Sequence, residues 1–324
     1  MTTDARVFII HENPEWIPPL IAAFDAEGVP YAELRLTEGA IDLDSPPAPG
    51  VYWSRMSASA HTRGNEHSKD YTRAVLSWLD GWGATVVNGR PVIEVEVSKV
   101  QQHAALRAAG FDVPRTSAAF GLADLSAKVR EFPAPFITKH NQGGKGLGVR
   151  RFDSHEEFDR VLQAGGIEQS PDGITLVQEF LVSAAPFVTR AEFVGGRFVY
   201  AVRVDTSAGS FELCPADACV VDDAGREPAP LFSLREGLEG DPLIADYERF
   251  LAGQGIQIAG IEFIETADGR RVTYDINTNT NYNPDVEKAS PVSAPRQIAR
   301  FLGGMLAAAY PAPAAPATEA VSAR

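Results

Sequence analysis

Between two stretches that read as β-strands, PFITKH and VRRF, the chain carries NQGGKGLG, and no other feature constrains the fold as much. Glycines beside a strand let backbone N–H groups approach phosphate oxygens while a lysine neutralises them. The candidates for that role are Lys139 on the strand and Gly143, Gly144, Lys145 and Gly146 in the loop. Lys145 is followed by Gly146 instead of Ser or Thr, so the loop is not a Walker-type P-loop. No helix opens directly behind it, so it is not a Rossmann fingerprint either.

The segments around this loop alternate in period. Strand Val7–Ile10, helix Trp16–Gly28, strand Tyr31–Leu36, strand Val51–Trp53 and helix Tyr71–Trp82, with ATVVN behind it, read as a doubly wound α/β unit. From Ser98, KVQQHAALRAAGF shows helical spacing with a glycine stop, and VPRTSAAF opens a second unit. There the glycine loop is followed by helix Ser154–Gln163, with Ser154 and Glu157 as a capping box, and by strand TLVQEF. The remainder alternates strands and turns, with VGG and ADG as hairpin turns, before a helix from Arg296 to Ala309. The resulting division is an N-terminal domain at 1–92, a second domain at 93–310 split into parts at about 115–182 and 183–310, and a Pro/Ala tail at 311–324 expected to be disordered.

A second chemical signal lies across the ADG turn, where GIEF carries Glu262 and YDIN carries Asp275 and Asn277. Residues two apart in a strand share a face, and antiparallel pairing can bring Glu262 beside them. One or two carboxylates plus an amide oxygen suit magnesium, with nucleotide phosphates completing the octahedron. Ile261, Phe263 and Ile276 would then pack on the opposite side. The strand end VQEFL offers Gln178, Glu179, Phe180 and Leu181 to an adenine edge, and Arg190 and Arg203, flanking the VGG turn, could clamp a phosphate or carboxylate bidentately.

Composition removes several classes. The chain has 29 basic against 43 acidic residues, a formal charge of −14, which disfavours a nucleic-acid partner. An amine or otherwise cationic substrate fits that charge better. The two cysteines, Cys214 and Cys219, match neither a redox pair nor a zinc site and are read as reduced thiols. The opening MTTDARVFIIHENPEW has no basic n-region, and no stretch reaches the roughly 18 apolar residues of a membrane span, so a cytoplasmic protein without a membrane partner is expected.

The order of these pieces resembles the ATP-grasp superfamily, and within it the RimK-type α-L-glutamate ligases. The most specific parts are TKHNQGGKGLGV and GIEF through YDINTN. The resemblance implies an α/β (α+β) ATP-grasp fold in which two α+β subdomains, following an N-terminal pre-ATP-grasp domain, clasp ATP. Its lid would be the part at about 115–182. Lys99 and Lys139 would contact ATP phosphates, with the glycine loop as part of the lid. Gln178 to Leu181 would form the adenine hinge. Glu262, Asp275 and Asn277 would hold Mg2+, two ions with Mn2+ as a substitute, and Arg203 would meet the transferring phosphoryl group. The implied reaction activates a carboxylate as an acyl phosphate and joins it to an amine, on small-molecule or peptide substrates, in a chain that could also form a homo-oligomer.

The chain departs from the family pattern at three places. Val188 stands where an acidic residue usually meets the ribose. DTSAGSFELCPADAC replaces the usual Arg-Ser-Asn run, and TNTNYNPDVE replaces Ser-Ser-Pro-Gly after the metal-binding Asn. The alternate asparagines Asn279 and Asn281 would line an acceptor pocket, with Arg55, Ser57, His61 and Arg63 of the first domain as further contributors. The competing readings are an ATP-grasp kinase that stops at a phosphorylated small molecule and an ATP-binding protein without turnover.

Overall fold

The computed structural model describes residues 5–144, 146, 148–207 and 230–311. Lys145, Cys214, Cys219 and the tail beyond 311 lie outside them.

The chain opens as alternating strands and helices: β1 (Arg6–His11), α1 (Pro18–Glu27), β2 (Tyr31–Arg35), β3 (Gly50–Ser54), α2 (Ser68–Gly81), β4 (Thr85–Val87) and α3 (Arg90–Glu96). The strands form a parallel sheet of order β2-β1-β3-β4. The two central strands, β1 and β3, are largely buried, as a parallel sheet between helices requires, whereas the edge strand β2 leaves Glu33 and Arg35 exposed. Residues 14–16 form a separate short turn of helix, so α1 begins at Pro18, where the missing N–H of proline costs nothing. Gly28 closes α1 at φ 64°, a left-handed position that a β-carbon would strain. The helix α3 has no counterpart in the sequence reading, and the expected division at 92 falls inside it.

A second unit follows: α4 (Lys99–Ala108), β5 (Thr116–Phe120), α5 (Leu122–Val129), β6 (Phe136–His140), β7 (Arg150–Phe152), α6 (His155–Gln163) and β8 (Ile174–Glu179). Its antiparallel sheet has order β5-β8-β6-β7, with Phe132, Phe136, Phe152 and Phe158 at the centre of a small core of its own. The Ser154 hydroxyl caps α6 by accepting from Glu157 N, while the Glu157 carboxylate accepts from Asp153 N instead of Ser154 N.

The third unit comprises β9 (Phe187–Val194), β10 (Arg197–Asp205), β11 (Phe232–Arg235), α7 (Pro242–Gln254), β12 (Ile258–Glu265), β13 (Arg271–Asn277), α8 (Pro284–Ala289) and α9 (Ala294–Ala309). The sheet order is β11-β10-β9-β12-β13, all antiparallel. Gly195 and Gly196 turn the β9–β10 hairpin at φ 61° and 70°, the two positive φ angles of a type I′ turn. One face packs on α7 through Ala191, Phe193, Ile261, Phe263 and Ile276. The other face forms the floor of a cleft. Helix α9 returns to the first unit, where Ile298, Ala299 and Leu302 join Ile9, Phe24 and Trp53 in one core. The first and third units are thereby fastened across one helix. Among the described residues no helix is long and apolar enough to cross a membrane.

Candidate functional site

The floor is set by strand register. Arg190 on β9, Glu262 on β12 and Asp275 on β13 stand opposite one another, with Asn277 opposite Gly260. A β-carbon at Gly260 would lie 3.1 Å from Glu192 Oε2 and 3.2 Å from Arg190 Cδ, so glycine there makes room for the Arg190–Glu192 pair. A register shift after Glu262 leaves Tyr274 as an extra residue on β13, and its hydroxyl donates to Glu262 Oε2 at 2.7 Å. Asn277 Nδ2 lies 3.3 Å from Glu262 Oε1 and 3.4 Å from Asp275 Oδ2. The three residues expected to hold magnesium therefore converge on one point. Among the described residues no group of three or more His, Cys, Asp or Glu side chains could hold a metal alone. The set fits a hard cation only if phosphate oxygens complete the shell.

The cations come from two other elements. Ser98 caps α4 by accepting from Gln101 N, which sets Lys99 at the first helical position, and Lys99 Nζ donates to Asp275 Oδ1. Asn141, at the foot of the glycine loop, accepts from Val100 N at 2.8 Å and so ties the start of α4 to the end of β6. On β6, Phe136 faces the core while Ile137 and Lys139 face the cleft, as a period of two demands. Lys139 is 7% exposed and has neither a hydrogen bond nor an ion pair among the described residues. Burial, reinforced by Lys99, pulls its ammonium down to about 7. Burial and the Asp275 charge push Glu262 up. Burial also pushes Asp275 up, but Lys99, by charge and hydrogen bond, outweighs it and holds that carboxyl below its usual value.

These groups share a cavity of 740 Å³. Of the residues singled out from the sequence, its walls include Lys99, Lys139, Gly143, Gly144, Gly146, Gln178 to Leu181, Arg190, Glu262, Asp275, Asn277, Asn279 and Asn281, and also Val188. Gln178 Oε1 is buried without a hydrogen-bond partner among the described residues. The Glu179 carboxylate accepts from Arg115 N at 2.8 Å, so its side chain is engaged elsewhere. An orphaned buried cation and an orphaned buried acceptor are the groups a nucleotide's phosphates and exocyclic amine would satisfy.

Arg203 is a correction. Strand β10 carries an irregularity between Phe198 and Tyr200, after which Arg203 pairs with Thr189 and not with Val188. A one-residue slip moves a side chain to the other face of a sheet. Arg203 accordingly lies outside the cleft, exposed, with its guanidinium 4.4 Å from the centre of the Phe187 ring. Arg55 also stands behind the cleft wall, buried among Thr280, Asn281 and Trp53. Ser57 and Ser59 reach the wall, whereas Arg63 is held by Glu12 at 2.5 Å and lies over Trp16. His61 is absent from the wall, and its Nδ1 is buried without a hydrogen bond among the described residues.

The sequence reading missed Glu96, Glu192 and Tyr274. Glu192 follows Arg190 by two and so shares its face, a signal that was available. Glu96, whose carboxyl burial pushes up, sits in the apolar run VIEVEV and gave no such signal.

No family model matches the chain. It is 24% identical over 240 residues to a probable alpha-L-glutamate ligase of Thioalkalivibrio sulfidiphilus, covering 72% of this chain and 71% of that protein. To the protein of the same description in Aeromonas salmonicida it is 25% identical over 239 residues, covering 72% of each. In fold it matches a RimK domain ATP-grasp protein of Sphaerobacter thermophilus with a TM-score of 0.66 at 19% identity, over 92% of this chain and 99% of that one. It also matches the ATP-grasp ligase PsnB, solved with minimal precursor, Mg and ADP, with a TM-score of 0.62 at 16% identity, over 93% and 97% of the two chains. The fold is that of ATP-grasp proteins.

Proposed function

We propose that this chain, with its ATP-grasp fold and its sequence similarity to RimK-type ligases, is an ATP-dependent carboxylate–amine ligase that works through an acyl phosphate. The observation that carries the reading is the juxtaposition of Lys99, Lys139, Glu262, Asp275 and Asn277 on one 740 Å³ cleft, with Lys139 buried and without a partner among the described residues. Such a site is built to receive a polyanion together with hard cations.

ATP would lie with its adenine against Ile137, Phe180 and Leu181, its exocyclic amine donating to Gln178 Oε1, and its phosphates toward Lys99, Lys139 and the glycine loop. Glu262, Asp275 and Asn277 would hold Mg2+, one ion or two, and Mn2+ could substitute. When bound, the metal neutralises charge on the phosphates. Lys139 would then regain the full charge that burial denies it. Val188 on the wall leaves the ribose without a carboxylate partner from β9.

The acid substrate's carboxylate oxygen would attack the γ-phosphorus, ADP would leave, and the amine would then displace phosphate from the acyl carbon. Phosphoryl transfer needs alignment and charge neutralisation more than covalent help, which these side chains supply. A β-carbon built on Gly144 would lie 3.6 Å from Ser59 Cβ, so this glycine stands against the first unit, and a contact there would help keep water from the reacting atoms. Incubation with ATP, magnesium and pooled amino acids and dipeptides, reading ADP together with new masses, tests the proposal. Condensed products support ligation; a phosphorylated product that accumulates without any amine supports a kinase. The absence of ADP release with every pool would leave only nucleotide binding.

A further inference from the structure

From Thr278 to Asn281 buried and half-buried residues alternate, and beyond them Tyr282 joins the cleft wall. Thr278 and Thr280 are buried, at 3% and 5% exposure, while Asn279 and Asn281 line the cleft. The buried pair act as pins. Thr278 donates its N–H and its hydroxyl to Glu96 Oε2 at 2.7 and 2.9 Å, and the Thr280 hydroxyl donates to Glu192 Oε2 at 2.9 Å. Arg190 Nη2 donates to the Asn281 carbonyl at 3.1 Å, which fixes the backbone from the cleft side.

Arg55 adds orientation to this rigidity. Its guanidinium, on a residue 2% exposed, donates to the Thr280 carbonyl at 3.1 Å and to Asn281 Oδ1 at 3.0 Å. A guanidinium only donates, so Asn281 has to turn its oxygen to Arg55 and its NH2 away from it. This orientation follows from the chemistry of the partner, whichever way the amide is drawn. Asn281 Nδ2 makes no hydrogen bond among the described residues, and with Oδ1 turned back to Arg55 the NH2 is left to the side of the cleft that this residue lines. Among the described residues Asn279 makes no side-chain hydrogen bond, and its Oδ1 is buried without a partner there. The wall therefore shows an oriented donor at 281 and an unspent amide at 279.

We infer that Arg55 is a positioning residue that sets the polarity of the acceptor wall. Through it Asn281 presents an N–H donor to a carboxylate or carbonyl oxygen of the amine substrate, while Asn279 takes that substrate's N–H. The inference rests on the ligase reading above. An acceptor without such an oxygen, hydroxylamine for instance, engages Asn279 alone, and its use does not depend on Arg55.

The test uses the acid identified by ADP release and compares two nucleophile probes, hydroxylamine and a mixture of the twenty L-amino acids. Asn281→Asp keeps an oxygen for Arg55 but removes the donor. Arg55→Met frees the amide to turn, and Arg55→Lys restores a donor-only partner. The ratio of kcat/KM for amino acids to that for hydroxylamine should fall about tenfold or more in Asn281→Asp and Arg55→Met, chiefly through KM, the size expected for one lost hydrogen bond. Arg55→Lys should recover part of it. An unchanged ratio in Asn281→Asp, which keeps the buried contact and so the fold, would overturn the inference even if Arg55→Met failed to fold. So would a wild-type enzyme that forms a hydroxamate but joins no amino acid. If the wild type forms neither product, the ligase reading itself falls.

Discussion

Removing the Lys139 ammonium tests how the cleft holds nucleotide. In Lys139→Ala the cleft loses a cation that is 7% exposed and has no partner among the described residues, so the substitution breaks no hydrogen bond or ion pair among them. A charge-assisted contact to a phosphate is worth about 1.5–3 kcal/mol, and about 1.4 kcal/mol is tenfold, so ATP should bind about one to two decades more weakly. The loss should depend on pH. Burial and Lys99 pull this ammonium down to about 7, so at pH 6 it is already charged and the contact is fully available. At pH 8.5 it has first to take up a proton, at a cost of about 2 kcal/mol. The gap between wild type and variant should narrow over that range. Calorimetric titration with ATP at both pH values, with and without magnesium, reads it directly. Equal affinity of the two proteins at pH 6 would refute the placement of Lys139 on the phosphates.

Asp275→Asn preserves shape but halves the carboxylate set and neutralises the partner of Lys99, so turnover should drop about tenfold or more and the magnesium needed for half-maximal rate should rise; wild-type rates in limiting magnesium would contradict it. Arg203→Ala should leave the rate of ADP release near that of wild type, because the side chain lies on the far face of the sheet; a loss of 100-fold would return it to the cleft. Burial, with Lys139, pulls His103 down to about 3, below its unfolded value near 6.5. Its contribution is therefore intact above pH 6.5 and is lost as pH falls toward 3, amounting to about 2 kcal/mol at pH 5. The metal-free protein should show a Tm that declines from pH 7 to 5, and His103→Gln should flatten that decline; parallel curves would exclude His103 as the cause.

The parts legible in the sequence were those set by local periodicity and turn chemistry. Alternation placed Asp275 and Asn277 on one face, the ADG turn brought Glu262 across from them, and Ile261, Phe263 and Ile276 went to the core as the same alternation requires. The two glycines of VGG fixed a hairpin. Arg203 failed for a reason the same rule contains: one irregularity near Val199 shifts the phase of everything after it, and a bulge leaves no mark in an apolar run such as RFVYAV. Tyr274 entered the site by the same device on β13. Helix α3 was hidden because VIEVEV is β-branched and alternating, which favours a strand, whereas in the fold it packs as a helix against α2, α4 and β13. The return of α9 to the first sheet depends on contacts hundreds of residues apart, which no local pattern encodes.

The central claim is that a carboxylate oxygen attacks ATP and departs later with the phosphate. The most direct measurement uses an acid substrate labelled with 18O in both carboxylate oxygens, turned over with ATP, magnesium and the amine, followed by mass analysis of the inorganic phosphate. The account predicts one 18O atom per phosphate released and one retained in the new amide. Phosphate carrying no label, or label held in a phosphorylated acid that the amine does not discharge, would contradict it.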